Sequence, residues 1–176
     1  MTSNNINKYA MHFGTYMGVY WIIKFVFFPL GFMNSFCMFL FFALTLAVPY
    51  LGYRYAKMYR DRACNGEISF FQSFFFMAFM YMFAALFTAM GHYIYFRFID
   101  NNFIFNSYME IINGFAAQLP GMEAQIDLLK ESLDSVGKMT AIEIAMQLFS
   151  TNVLYCSIIS LITSLFVMKK NPSTTL

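Results

Sequence analysis

The residue most able to do chemistry in this sequence is Lys24, because it interrupts the apolar run 20–28. An ionised lysine in the middle of a membrane span costs about 2.5–3.5 kcal/mol on insertion scales, and by default it indicates a functional site with a partner. However, Lys24 lies five residues before Pro29, about 8 Å along a helix, so its side chain can also extend to the interface. We favour an interfacial or ion-paired structural lysine over a functional one.

Two carboxylates are candidates to pair with Lys24. Glu143 begins the last apolar run and is the best candidate, and Asp100 is the second. Charged side chains inside a membrane bundle commonly pair with one another. The sequence therefore predicts a possible intramembrane polar pair of Lys24 and Glu143.

His92, Arg97 and Gln147 form a possible polar interface near that pair. Arg97 follows Tyr93 and Tyr95, which is typical of an interfacial anchor with its aromatic belt. His92 could titrate near neutral pH, but we favour a hydrogen-bonded structural role for it. Gln147 precedes a set of serines on the last apolar run. That set could line a polar path in a transporter, but we favour ordinary helix packing because no matching polar stripe occurs on the other runs.

The sequence contains no catalytic motif, and we expect no catalytic residues and no cofactor. A membrane enzyme is the third hypothesis, and it would have to use His92, Arg97 and Glu143 in one cavity. The cysteines Cys37, Cys64 and Cys156 lie far apart with no CxxC spacing, so neither a metal site nor a disulfide framework is predicted. His12 and His92 should lie near opposite ends of their spans, which excludes a shared metal site within one subunit. Nucleophile elbows and phosphate loops are absent.

The elements that must position these side chains are membrane helices. The chain is 60% hydrophobic and 11% charged, whereas soluble domains average about 25% charged residues. A span needs about 20 apolar residues. The sequence predicts a single all-α membrane domain of residues 1–176, an integral four-helix bundle, with an extracytoplasmic helical loop between spans three and four. The predicted ranges are 9–32, 36–53, 69–98 and 141–168 for the spans and 100–140 for the loop.

Small residues indicate where these helices approach closely. Gly14 and Gly18 have the small-xxx-small spacing that lets helix backbones come together. The outer half of the third span also carries a face of small residues. The predicted helix-packing positions are Gly14, Gly18, Ala84, Ala85, Thr88 and Gly91.

The distribution of positive charge predicts the orientation. Lysine and arginine near span ends collect on the cytoplasmic side. One side of a four-span protein would carry seven positive charges, from Lys8, the basic segment 54–62 and Lys169-Lys170. The other side would carry three positive charges, or four if Lys24 is counted there. We therefore expect both termini in the cytoplasm and the acidic loop 100–140 outside it. Within that loop, 122–136 carries one apolar stripe at helical spacing.

Five short stretches carry a resemblance to a known family. Tyr59–Arg62, Gly66–Phe70, Gln72–Phe74, Tyr93–Phe96 and Phe98–Asp100 resemble a bacterial domain-of-unknown-function family of small four-span proteins that is widespread in Bacteroidetes. The resemblance covers residues 8–170 in pattern. It implies the four-span topology and the bacterial inner membrane, and it adds no chemistry because the family has no established activity.

These observations favour a non-enzymatic inner-membrane protein whose partners are the lipid bilayer and either other copies of itself or another membrane protein. It would act as an accessory or scaffold subunit or as a homo-oligomer, using the small-residue faces. The alternative is a small transporter or channel that uses intramembrane Lys24 and Glu143. No nucleic-acid partner is expected.

Overall fold

The computed structural model describes residues 3–118 and 121–169, with side chains from Ile6 onward, and its regular elements are all α-helices. Four of them, α1, α2, α3 and α6, are long and apolar enough to cross a membrane, so the prediction of an all-α membrane protein with four spans is confirmed. Lys170, one of the basic residues used to predict the orientation, lies outside the described residues. The helices are α1 (Ser3–Met33), α2 (Ser35–Ala63), α3 (Phe70–Phe98), α4 (Phe103–Gln118), α5 (Glu123–Gly137) and α6 (Ala141–Val167).

The second helix extends beyond the predicted span, because a helix need not end where the bilayer ends. α2 continues to Ala63, so the basic segment 54–62, which was predicted to lie beyond the second span, is helical. The chain then turns at Asn65 and Gly66, whose φ values of 52° and 84° lie in the left-handed region that glycine and asparagine tolerate best. Ser69 accepts a backbone hydrogen bond at the start of α3. This compact turn brings α3 back through the bundle beside α1.

The four long helices form a bundle in which α3 packs extensively against both α1 and α6. α2 completes the bundle by packing against α1 and, less extensively, α6. The turn between α1 and α2 is a single residue, Asn34, whose Oδ1 accepts a hydrogen bond of 2.9 Å from the Phe36 N–H. α1 and α2 therefore run antiparallel, as do α3 and α6. α1 and α3 run parallel, because Gly14 lies beside Met80 and Ile22 lies beside Gly91, and α1 and α6 are separated by α3 on one side and by α2 on the other.

The small residues singled out in the sequence meet inside the chain. A Cβ atom on Gly14 would lie 2.7 Å from the Met80 carbonyl oxygen, and one on Gly18 would lie 3.2 Å from the Ala84 carbonyl oxygen. Ala84 and Ala85 are fully buried. Gly14, Gly18 and Ala84 thus allow α1 and α3 to approach closely, and these faces are not available to a partner.

Of the remaining small residues, Gly91 lies beside Ile22 of α1, because a Cβ there would be 3.2 Å from Ile22 Cγ1. Thr88 is buried, and its hydroxyl donates to the Ala84 carbonyl at 2.8 Å.

One end of the bundle, which we call the basic end, is closely packed. The rings of Tyr59 and Phe76 stack with their centroids 4.1 Å apart, and both side chains are fully buried. Arg60 donates a hydrogen bond of 3.1 Å to the Val167 carbonyl at the end of α6, where cationic groups complement the helix dipole. Ile68 and Lys169 exchange two backbone hydrogen bonds of 3.0 Å. The basic end carries Arg54, Lys57, Arg60 and Arg62 on α2.

The opposite end, which we call the cavity end, is covered by α4 and α5. Aromatic contacts join α4 to the end of α1, with the Phe32 and Tyr108 ring centroids 5.1 Å apart. The last residue of α5, Gly137, lies so close to Phe105 of α4 that a Cβ would be 2.6 Å from the ring. α4 and α5 therefore pack on each other and lie over one end of the bundle.

Candidate functional site

A cavity of about 530 Å³ lies at the cavity end, between the four long helices and the α4–α5 pair. Its size falls within the range of about 300–1,000 Å³ that is usual for small-molecule sites. Phe28, Phe41 and Phe96 line it from the long helices, and Phe105 and Leu133 line it from the covering pair. Most of the lining is therefore aromatic or aliphatic, and the few polar groups determine what chemistry the cavity can do.

Lys24 lines this cavity, half-buried between two aromatic rings. Its Nζ lies 5.7 Å from the centroid of the Trp21 ring and 5.5 Å from that of Phe41. Contacts of this kind attract a cation by roughly 0.5–2 kcal/mol, which compensates only part of the lost hydration. Among the described residues, no carboxylate oxygen lies within 4 Å of Lys24. The ammonium group thus lacks a counter-charge within the described chain.

Two further polar groups on the cavity lining lack a hydrogen-bond partner. The indole Nε1 of Trp21 and Nδ1 of His92 are buried and unpartnered among the described residues. Trp21 is 3% exposed and His92 is 6% exposed. His92 contacts Phe25 edge to face, with a centroid distance of 4.3 Å. Because an unsatisfied buried polar group costs about 1–3 kcal/mol, two of them beside an unpaired lysine indicate a binding site.

The pair of Lys24 and Glu143 is not formed. Glu143 instead caps α6: its Oε2 accepts hydrogen bonds from the Thr140 backbone N–H at 2.7 Å and from the Thr140 hydroxyl at 2.8 Å. This capping box keeps the carboxylate at the exposed start of the helix. Gln147 and Arg97 are also exposed. Of Lys24, His92, Arg97, Glu143 and Gln147, Lys24 and His92 line the cavity and the other three do not.

The rotation of α6 explains why Glu143 and Gln147 do not line the cavity. Ile144, Leu148 and Asn152 do line it, and their spacing of four residues places them on one helix face. Glu143 and Gln147 each precede a cavity residue by one position, which is a rotation of about 100°. Asn152 was missed as a site residue. Its spacing from Ile144 and Leu148 is the sequence signal that could have identified it.

Asp100, the second candidate to pair with Lys24, lines the same cavity but serves another function. It is buried, and its Oδ1 accepts a hydrogen bond of 3.2 Å from the Ile104 N–H at the start of α4. A carboxylate at a helix N-terminus is stabilised by the helix dipole. Tyr108 of α4 also lines the cavity, and burial raises the pKa of its hydroxyl. Asp100 therefore positions α4, and Tyr108 contributes a neutral hydroxyl.

An apolar groove of about 780 Å³ adjoins the cavity between α1 and α3. Val26, Leu30 and Met90 line it and are exposed, as expected for side chains that face lipid tails. Phe25 and His92 line both the groove and the cavity. These two side chains therefore stand between the cavity and the lipid-facing surface.

No metal centre is present among residues 3–118 and 121–169, because no three His, Cys, Asp or Glu side chains come close enough together.

Comparison with known proteins identifies one family. Residues 12–169 match the family described as Protein of unknown function (DUF4199). No curated protein and no solved structure matches the chain. The match covers nearly the whole sequence, all four long helices among it, and it confirms the resemblance to a domain of unknown function. The chain belongs to the DUF4199 family.

Proposed function

We propose that this protein is a non-enzymatic integral membrane protein that binds a small, mainly apolar ligand with a polar head in the cavity around Lys24. The observation that carries the proposal is the unpaired ammonium group of Lys24 beside two unpartnered polar atoms, inside an otherwise apolar cavity. Such polar groups usually fix the orientation of a ligand. Without a ligand or water to pair with, these groups would destabilise the fold.

Binding is better supported than conduction. Between the cavity and the basic end, the described helices are closely packed around Met80, Tyr81, Ala84 and Ala85, each at most 1% exposed. A channel or carrier would need a polar path through this layer. A transporter that uses Lys24 remains the alternative, but Glu143 is no longer part of it because its carboxylate caps α6.

An accessory or scaffold role, or a homo-oligomer, stays a prediction. It depended on Gly14, Gly18 and the Ala84 face as partner contacts, and these residues pack on each other inside the chain. A partner would have to use another surface, such as the exposed side of α2 with Phe39, Phe42 and Leu46. That surface is equally well explained by contact with lipid tails.

We further propose that the protein lies in the bacterial inner membrane with both termini in the cytoplasm. The positive charges of the basic end support this orientation, in which the cavity end faces away from the cytoplasm. In a cysteine-free background, a membrane-impermeant maleimide should label Ser107→Cys in intact cells and should not label Arg62→Cys. Labelling of Arg62→Cys alone would reverse the orientation.

Native mass spectrometry after mild solubilisation tests the binding proposal. The wild-type chain should carry a small molecule at a defined added mass. Ile144→Trp should lose it, because the larger side chain fills the cavity. Met146→Trp is the matched control, since Met146 is exposed on the same helix, and it should keep the molecule. An unliganded wild type, or equal occupancy in both variants, would contradict the proposal.

A further inference from the structure

The polar groups of the cavity also specify a class of ligand, an inference that rests on the proposed function. We infer that the cavity binds a hydrophobic monocarboxylate, with its carboxylate at Lys24 and Trp21 and its apolar body between the aromatic rings beneath α4 and α5.

The charge of the ligand follows from Lys24. It is the one lysine or arginine among the described residues that line the cavity, and the one carboxylate among them, Asp100, accepts a hydrogen bond at the start of α4. One unpaired ammonium group balances one negative charge. A dianionic phosphate would bring a second, uncompensated charge into a low-dielectric site.

The hydrogen-bonding groups favour a carboxylate in particular. Lysine and the tryptophan indole are donors without acceptor capacity, and Trp21 precedes Lys24 by three residues, so both lie on one face of α1. A ligand head held by both must accept at least two hydrogen bonds, and an anionic head also balances the charge of Lys24. A carboxylate has two acceptor oxygens, whereas an alcohol has one and an ammonium has none. His92, on α3, contributes its unpartnered Nδ1 to the same cavity.

The body of the ligand follows from the remaining lining. Phe28, Phe41, Phe96 and Phe105 provide no hydrogen bonds, and the other polar side chains on the lining are few, Asn102, Tyr108 and Asn152 among them. A sugar or an amino acid would therefore lose more hydration than these groups replace. The volume of about 530 Å³ suits a medium-length acyl chain or a compact aromatic body. The adjoining lipid-facing groove, which shares Phe25 and His92 with the cavity, favours an acid that partitions into the membrane.

The test uses the fluorescence of Trp21, which is the single tryptophan of the chain and lines the cavity. The full-length protein in lipid nanodiscs is titrated with 10-bromodecanoate, 10-bromodecanol and 10-bromodecylamine, because bromine quenches a tryptophan that it contacts. The carboxylate should quench Trp21 at the lowest concentration. Lys24→Met should weaken its binding by a factor of roughly ten to one hundred, the usual effect of losing a hydrogen bond to a charged group.

Two control variants distinguish the effect of the Lys24 charge on binding from the effect of a positive charge elsewhere in the protein. Lys24→Arg should retain the preference for the carboxylate. Lys57→Gln removes an exposed positive charge at the basic end and should change nothing. Should Lys24→Met fail to fold, the preference of the wild-type protein for the carboxylate over the alcohol still tests whether the ligand head is a carboxylate.

Each of the other quenching results would contradict a specific part of the proposal. Equal quenching by acid and alcohol, or preference for the amine, would refute the carboxylate while leaving a ligand cavity. Quenching by none of the three probes would refute both the carboxylate and the ligand cavity. Competition by unbrominated decanoate, but not by 4-phenylbutyrate, would identify an acyl chain as the body, and the reverse result would identify a water-borne aromatic acid.

Discussion

The basic end and the cavity end of the bundle are built from similar residues in opposite ways. At the basic end, Tyr59 and Phe76 stack and are fully buried. At the cavity end, Phe28, Phe41 and Phe96 line a space instead of filling it. Hydrogen bonds of Arg60, Ile68 and Lys169 join the helices at the basic end, although the buried Ser73 hydroxyl there lacks a partner. At the cavity end, Trp21 and His92 lack partners beside the open space. The contrast indicates that stability is concentrated at one end, which allows the other to keep unsatisfied groups for a ligand.

The largest expected effect is at the stacked rings of the basic end. Phe76→Ala should lower the free energy of unfolding by about 3–5 kcal/mol, because it leaves a cavity in a packed core. Denaturant titration in mild detergent measures the change. Phe75→Ala is the matched control, since Phe75 is 50% exposed and should cost far less. Equal losses from the two neighbours would refute the close packing of this end.

The next effect concerns the contact of α1 with α3. Gly14→Ala should cost about 1–3 kcal/mol, because the new Cβ would lie 2.7 Å from the Met80 carbonyl oxygen and the helices would have to separate. Thermal unfolding in detergent measures the cost. Gly114→Ala serves as the control, since nothing lies within 4 Å of its Cβ position. If Gly14→Ala were neutral, the two backbones would not be in contact.

A smaller effect is expected from the bond that joins α2 to the end of α6. Arg60→Gln should lower the free energy of unfolding by about 0.5–1.5 kcal/mol through loss of the hydrogen bond to the Val167 carbonyl. Arg62→Gln, at an exposed position, should have almost no effect. A comparable loss from both variants would mean that net charge, and not the bond, stabilises this end.

The smallest effect on stability is expected at the cavity end. Lys24→Met should change the free energy of unfolding by less than about 1 kcal/mol, or raise it, because Lys24 has no carboxylate within 4 Å among the described residues. The same denaturant titration applies. A loss above about 2 kcal/mol would contradict this prediction, since it would mean that Lys24 has a structural partner and that the two ends are alike.

The sequence predicted the fold more completely than the site. Four long apolar runs were enough to predict the spans, because the length of an apolar run can be read from the sequence without knowledge of tertiary contacts. Lys24 was also singled out as an anomaly, because a charged residue inside an apolar run is visible in the sequence itself, and it lines the cavity. Glu143 and Gln147 were expected near it, but the facing side of α6 is set by tertiary packing. The cavity depends on where the rings of four helices and α4 come together, which no local pattern encodes.

The bond between Arg60 and Val167 has a consequence for the synthesis of the protein. The two residues are 107 positions apart in the chain, and the backbone bridge of Ile68 with Lys169 spans a similar interval. During translation, α1, α2 and α3 are therefore made long before the segment that completes their basic end. Until α6 arrives, Met77 lacks its contact with Ser164 and the face of α3 that packs against α6 stays uncovered. A chain truncated before α6 should therefore be recognised by membrane quality-control proteases.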